Sequence, residues 1–153
     1  MRRRCDLDIS TMGKGRPQQV RGNPGPQQAY RCHDHVVAVR LLIVDDHDGF
    51  RAMARLMFEA AGFDVVGEAV DAASAVHAAA SLRPSVVLLD IALPDGDGFE
   101  VCERLTAVED PPAVVLTSTR DAPEYADRLA VTSARGFLPK TGLSGPAVAQ
   151  LVG

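Results

Sequence analysis

From Val37 onward the chain repeats one pattern five times: a short apolar run, then a segment with helical spacing. The runs are VVAVRLLIVDD, FDVVGEAV, SVVLLD, PPAVVLTST and GFLPK. Strands that read as near-continuous Val and Leu must be covered on both faces, which is the habit of parallel sheets rather than of half-solvated antiparallel ones. The intervening segments carry helix signals. DGFRAMARLMFEAAG spaces Phe50, Met53, Ala54 and Met57 on a helical period and stops at Gly62. DAASAVHAAASLRP has Asp71 as cap and closes before Pro84. GDGFEVCERLTAV and APEYADRLAVTSA follow, and LSGPAVAQLVG forms a stub of a last helix with Ser144 as cap ahead of Pro146.

Five such units in the 115 residues after position 38 predict an α/β fold, a flavodoxin-like doubly wound parallel sheet of five strands in the order 2-1-3-4-5 with a short last helix. Composition agrees. Of 153 residues 46% are hydrophobic but only 5% aromatic, with no Trp, so the core is Ala, Val and Leu packed between layers rather than a sandwich with aromatic anchors.

The first 36 residues read differently. Residues 11–28 hold four Gly, three Pro and four Gln and show no apolar period of either kind. Such a stretch buries too little to offset its ordering entropy, so residues 1–36 are expected to form a disordered basic tail, or to reflect a start assigned too far upstream of Val36. The folded domain is expected over 37–153. Residues 1–38 carry a net charge of +4 and the remainder −8. So acidic a body argues against direct nucleic-acid binding by the folded part. The basic start is followed by polar residues, unlike a secretory signal, and no apolar run approaches the roughly 20 residues that cross a bilayer. Cys5, Cys32 and Cys102 form no CxxC pair, which suits a reducing cytoplasm.

In an open parallel sheet, ligands bind outside the carboxyl ends of the strands. Those ends hold Asp45 and Asp46, Asp90, Thr117 and Lys140. Converging carboxylates repel; two unit charges 4 Å apart cost about 4 kcal/mol at an effective dielectric near 20. A cation relieves that repulsion, and all-oxygen ligation favours Mg²⁺ (or Mn²⁺) over a thiolate metal. A carboxylate nucleophile, a hard dication, a lysine and a hydroxyl are together the set that neutralises a phosphoryl group in flight.

LLIVDDH, SVVLLDIALPDGDGFEV, VVLTS and GFLPK together resemble the acidic pair, phosphorylation-site strand, switch strand and lysine strand of response-regulator receiver domains, over residues 39–153. The resemblance implies that Asp90 accepts a phosphoryl group as an acyl phosphate. It implies that Asp46 binds Mg²⁺ directly, Asp45 largely through water, and that the backbone carbonyl of Ala92 is a further ligand. Thr117 would donate to one phosphoryl oxygen and Lys140 would pair with another. Pro94, Asp97 and Gly98 match the loop and helix start after the phosphorylation site, and Phe137 the aromatic switch position. The donor would be a histidine kinase or phosphotransfer protein, and a downstream protein would dock on the 122–153 face, with dimerisation on phosphorylation a further expectation. No membrane contact is implied, and the only catalysis is assistance to the domain's own phosphorylation and dephosphorylation.

The chain departs from the family in two places. Receivers often carry proline straight after the lysine, with a cis bond; here Thr141 follows and Pro139 precedes. A non-proline cis bond costs roughly 2.5–4 kcal/mol, so the Lys140–Thr141 bond is expected to be trans. At the positions that tune hydrolysis stand Ala92, which orients no water, and Thr119. Other candidates read as bland: Cys32–His35 as incidental, His47 as a rim side chain, His77 as a solvated helix residue, Cys102 as a small core residue. Two competing functions are an unphosphorylated receiver-like binding module and an Asp-nucleophile phosphatase. The latter places its nucleophile in a DxD pattern after the first strand, where this chain has DD. No output domain is expected after the last helix, as in a stand-alone receiver or a shortened regulator.

Overall fold

Alternation along the inner strands sorts the core into two halves. The computed structural model describes residues 38–153; the readings of residues 1–36 and of Cys32–His35 lie outside it. In order come β1 (Arg40–Val44), α1 (Asp48–Ala60), β2 (Asp64–Ala69), α2 (Ala72–Leu82), β3 (Val86–Asp90), α3 (Gly98–Thr106), β4 (Ala113–Ser118), the short α4 (Ala126–Leu129), β5 (Gly136–Pro139) and α5 (Gly145–Val152). A two-residue hairpin, Ala92–Leu93 against Gly96–Asp97, joins β3 to α3. The main sheet is parallel throughout in the order β2-β1-β3-β4-β5, as expected.

Successive strand residues face opposite ways. Leu42, Val44, Val87, Leu89, Val114 and Leu116 pack with Ala75 of α2 and with Phe99, Cys102 and Leu105 of α3. Their neighbours Leu41, Ile43, Val86, Leu88 and Val115 pack with Ala54 and Phe58 of α1 and Val148 of α5. Each strand therefore feeds both layers, the physical meaning of its unbroken Val/Leu run. Phe58 is fully buried and meets Phe63 edge-on, with centroids 5.2 Å apart. His77 is exposed and Cys102 buried, as expected.

The caps follow the sequence signals. Asp71 accepts the Ser74 N–H at 2.7 Å in a capping box, and Ser144 accepts the Ala147 N–H at 3.1 Å. Two expectations need correction. On α1 the buried stripe is Phe50, Ala54, Met57 and Phe58; Met53 is exposed, having moved past the sheet-facing arc at 100° per residue. The single helix expected over 122–133 is a 3₁₀ turn, Ala122–Tyr125, followed by one short helix, α4 (Ala126–Leu129). Beyond Ala130, Glu103 of α3 accepts the Ser133 N–H at 2.9 Å, taking a backbone donor that a longer helix would have used, and also accepts the Ser133 hydroxyl at 2.8 Å. Those bonds also hold the Glu103 carboxyl below its ordinary range.

Candidate functional site: an acidic cluster at the carboxyl edge of the sheet

Parallel strands that end in register deliver their last side chains to one edge. Asp45 follows β1, and its N–H donates to the Ala69 carbonyl at the end of β2 at 3.0 Å. Asp90 ends β3 and pairs in register with Thr117 of β4. Lys140 follows the last residue of β5 and opens a 3₁₀ turn, Lys140–Gly142. Among the described residues there is no cis peptide, so the Lys140–Thr141 bond is trans, as expected.

The side chains converge. Lys140 Nζ lies 2.5 Å from Asp45 Oδ2 and 3.2 Å from Asp90 Oδ2, bridging the two carboxylates. The approach to Asp45 Oδ2 is an ion contact without hydrogen-bond alignment. Asp45 is wholly buried, and its Oδ1 accepts the His47 N–H at 2.9 Å. Asp90 is nearly buried, and its Oδ1 accepts the Ala92 N–H at 3.1 Å. Asp46 stands at the rim, with 37% of its side chain exposed. The Thr117 hydroxyl is fully buried and has no hydrogen-bond partner among the described residues.

Burial pushes the Asp90 carboxyl above its ordinary range; the Ala92 N–H and the Lys140 ammonium pull it back, and the charge of Asp45 adds to the rise. Burial works against the charge on Lys140, but its close contacts with Asp45 and Asp90 and the attraction of both charges outweigh that and raise it. The fit to a dication follows from the donor set. One atom each from Asp45, Asp46, His47 and Asp90 lie within 4.8 Å of one another. Three carboxylates face a single ammonium, which leaves an excess of negative charge that a hard cation would offset.

Thus Asp45, Asp46, Asp90, Thr117 and Lys140 share the edge, while Ala92 stands on the adjoining hairpin with its N–H turned to Asp90. Thr119 is exposed. Phe137 is elsewhere: it is half-buried on β5, its ring 5.9 Å from that of Tyr125, which in turn lies 6.0 Å from Phe99. Three contributors had escaped the sequence reading, and a fourth, His47, had been read as a rim side chain. Phe50 lies beneath the Lys140 ammonium, 4.4 Å from centroid to nitrogen. Arg51 donates to the Asp45 carbonyl at 2.8 Å. His47 places Nδ1 against both members of the acidic pair. Asp95 accepts the Ala72 and Ala73 N–H groups, at 2.6 and 3.2 Å, tying the hairpin to the start of α2. Only Phe50 and Arg51 left a usable trace, since both lie on the first turn of the helix that follows the acids.

The family model for the response regulator receiver domain matches residues 41–145. The response regulator GacA of Pseudomonas viridiflava is 30% identical over 115 residues, covering 74% of this chain and 52% of its own length. Among solved structures, the signal receiver domain of NarL from Mycobacterium tuberculosis aligns with a TM-score of 0.66 at 33% identity, over 75% of this chain and 96% of that one. The signal receiver domain of a modulated diguanylate cyclase from Desulfovibrio desulfuricans aligns with a TM-score of 0.65 at 28% identity, over 75% and 90%. The chain spans about half the length of these curated relatives.

Proposed function

Because this chain belongs to the response-regulator receiver family of two-component systems, we propose that it takes a phosphoryl group onto Asp90 and passes the signal on through a changed protein contact. The observation that carries the reading is the Lys140 ammonium bridging Asp90 and Asp45 at the carboxyl edge of the sheet. The donor is a phosphohistidine of a histidine kinase or phosphotransfer protein. An Asp90 oxygen attacks phosphorus, the P–N bond breaks, and the imidazole leaves with the electron pair and takes up a proton.

Each residue has a task in that transfer. The Ala92 N–H and Lys140 orient the two oxygens of Asp90, and Lys140 offsets charge on the transferred group. Asp46, Asp90 and the Ala92 carbonyl, with Asp45 behind them, would hold Mg²⁺ (or Mn²⁺), which when bound neutralises the phosphoryl oxygens. Thr117 gains a charge-assisted bond when a phosphoryl oxygen comes within reach. Its movement frees space beside β5, and Phe137 turns inward. That shift of an existing equilibrium changes the face of residues 122–153, where a downstream partner or a second copy docks. The domain is regulatory and catalyses only its own phosphorylation and dephosphorylation. Among the described residues no helix is long and apolar enough to cross a membrane; we place the protein in the cytoplasm with its kinase.

The test is incubation with acetyl phosphate and Mg²⁺. The parent should gain about 80 Da by mass spectrometry, the mass of one phosphoryl group, in an acid- and base-labile form. Asp90→Asn keeps the shape and removes the nucleophile, and should gain none. Label on that variant would refute the assignment.

A further inference from the structure

His47 is the donor at the acidic edge to which the phosphoacceptor reading gives no role. Its backbone N–H is bonded to Asp45 Oδ1, which folds the residue back over the acidic pair just before α1 begins. Nδ1 then lies 3.1 Å from Asp46 Oδ1 and 3.3 Å from Asp45 Oδ1, while 71% of the side chain stays open to solvent. The two oxygens of Asp45 are divided: Oδ2 faces Lys140, Oδ1 faces His47. Asp45 therefore lies between an ammonium on one side and an imidazole nitrogen on the other.

We propose that His47 supplies a nitrogen ligand to the cation site, so that the site takes a borderline first-row transition dication in addition to Mg²⁺. The inference rests on the reading of Asp45, Asp46 and Asp90 as a cation site. The chemistry is that of ligand softness. Mg²⁺ prefers oxygen and water at near-octahedral geometry and gains little from imidazole. Cobalt, nickel and zinc bind imidazole well, and nitrogen donors raise their affinity along the Irving–Williams order. With carboxylates alone the site would select hard ions; with His47 beside them it becomes mixed. The ring is 71% exposed, so Nδ1 can exchange its proton and its contacts with the acids for an arriving ion without disturbing the packed core.

The competing role for the same geometry is purely structural: Nδ1–H donating to both carboxylates and steadying them. The two roles separate by ion type. Co²⁺ is titrated into the full-length protein and followed by visible absorption; Mg²⁺ is titrated calorimetrically. The proteins are the parent, His47→Ala, His47→Asn and Asp46→Asn. A ligand role predicts that His47→Ala lowers Co²⁺ affinity by about tenfold or more and leaves Mg²⁺ within about twofold. It also predicts that His47→Asn, whose amide can still donate to the acids, does not restore Co²⁺ binding. Equal losses for both ions, no loss for either, or full recovery in His47→Asn would overturn the inference. Asp46→Asn reports on the underlying reading: if it leaves both affinities untouched, the cation site itself is misread. If it removes both while His47→Ala removes neither, only the role of His47 fails.

Discussion

Gly98 backs directly onto Asp90: a Cβ added at position 98 would lie 2.6 Å from the Ile91 Cα and closer still to the Asp90 carbonyl oxygen. The Gly98 N–H also donates to the Ile91 carbonyl at 2.8 Å. The start of α3 is thus pressed against the backbone that carries Asp90, and a bare hydrogen is what permits the approach. Gly98→Ala should destabilise the domain by about 1–3 kcal/mol, since neither neighbour is a movable side-chain tip. Urea unfolding measures that cost. Labelling by acetyl phosphate should slow in the same variant, because the shift is transmitted to Asp90.

Asp90 itself should reduce stability in the metal-free protein. Burial raises its folded-state pKa above the unfolded carboxylate value. The folded state therefore binds more protons in that window, and stability falls as pH rises from the unfolded value through the folded one. Above it the penalty is fully present. Asp90→Asn, measured in chelator, should raise the urea midpoint at neutral pH. The difference from the parent should shrink as pH is lowered toward 4; a constant difference would contradict the argument.

Thr117 offers the complementary case. Its hydroxyl is buried without a partner among the described residues. An unmade bond of that kind costs about 1–3 kcal/mol, so the nearly isosteric Thr117→Val should fold at least as stably as the parent. The variant should still accept phosphate on Asp90 while losing the phosphate-dependent change in partner affinity. A response as strong as the parent's would remove Thr117 from the switch.

The α1–α5 layer depends on Phe58, which is fully buried against Phe63. Phe58→Ala should cost about 3–5 kcal/mol in chemical denaturation. The exposed Met53 on the same helix sets the contrast: Met53→Ala should stay within about 0.5 kcal/mol.

The sequence alone was enough for the elements and the residues at the carboxyl edge, because both rest on local signals, and the strand order followed from the doubly wound class those elements imply. Unbroken Val/Leu runs require two covered faces, Asp71 and Ser144 cap by themselves, and each strand's final residue is readable from where its run stops. What the tertiary structure decided are contacts between segments far apart in the chain. The helix expected over 122–133 looks sound locally, yet Glu103, on another helix, takes the Ser133 N–H that so long a helix would have needed. Phe50 and Lys140 lie on opposite sides of the sequence and meet because β1 and β5 end on one edge. Asp95, which no local pattern singles out, accepts from the first residues of α2 across the hairpin. Periodicity and capping act over a few residues and are written in order. Such long-range pairs carry no period, and they exist only once the sheet has brought its strand ends together.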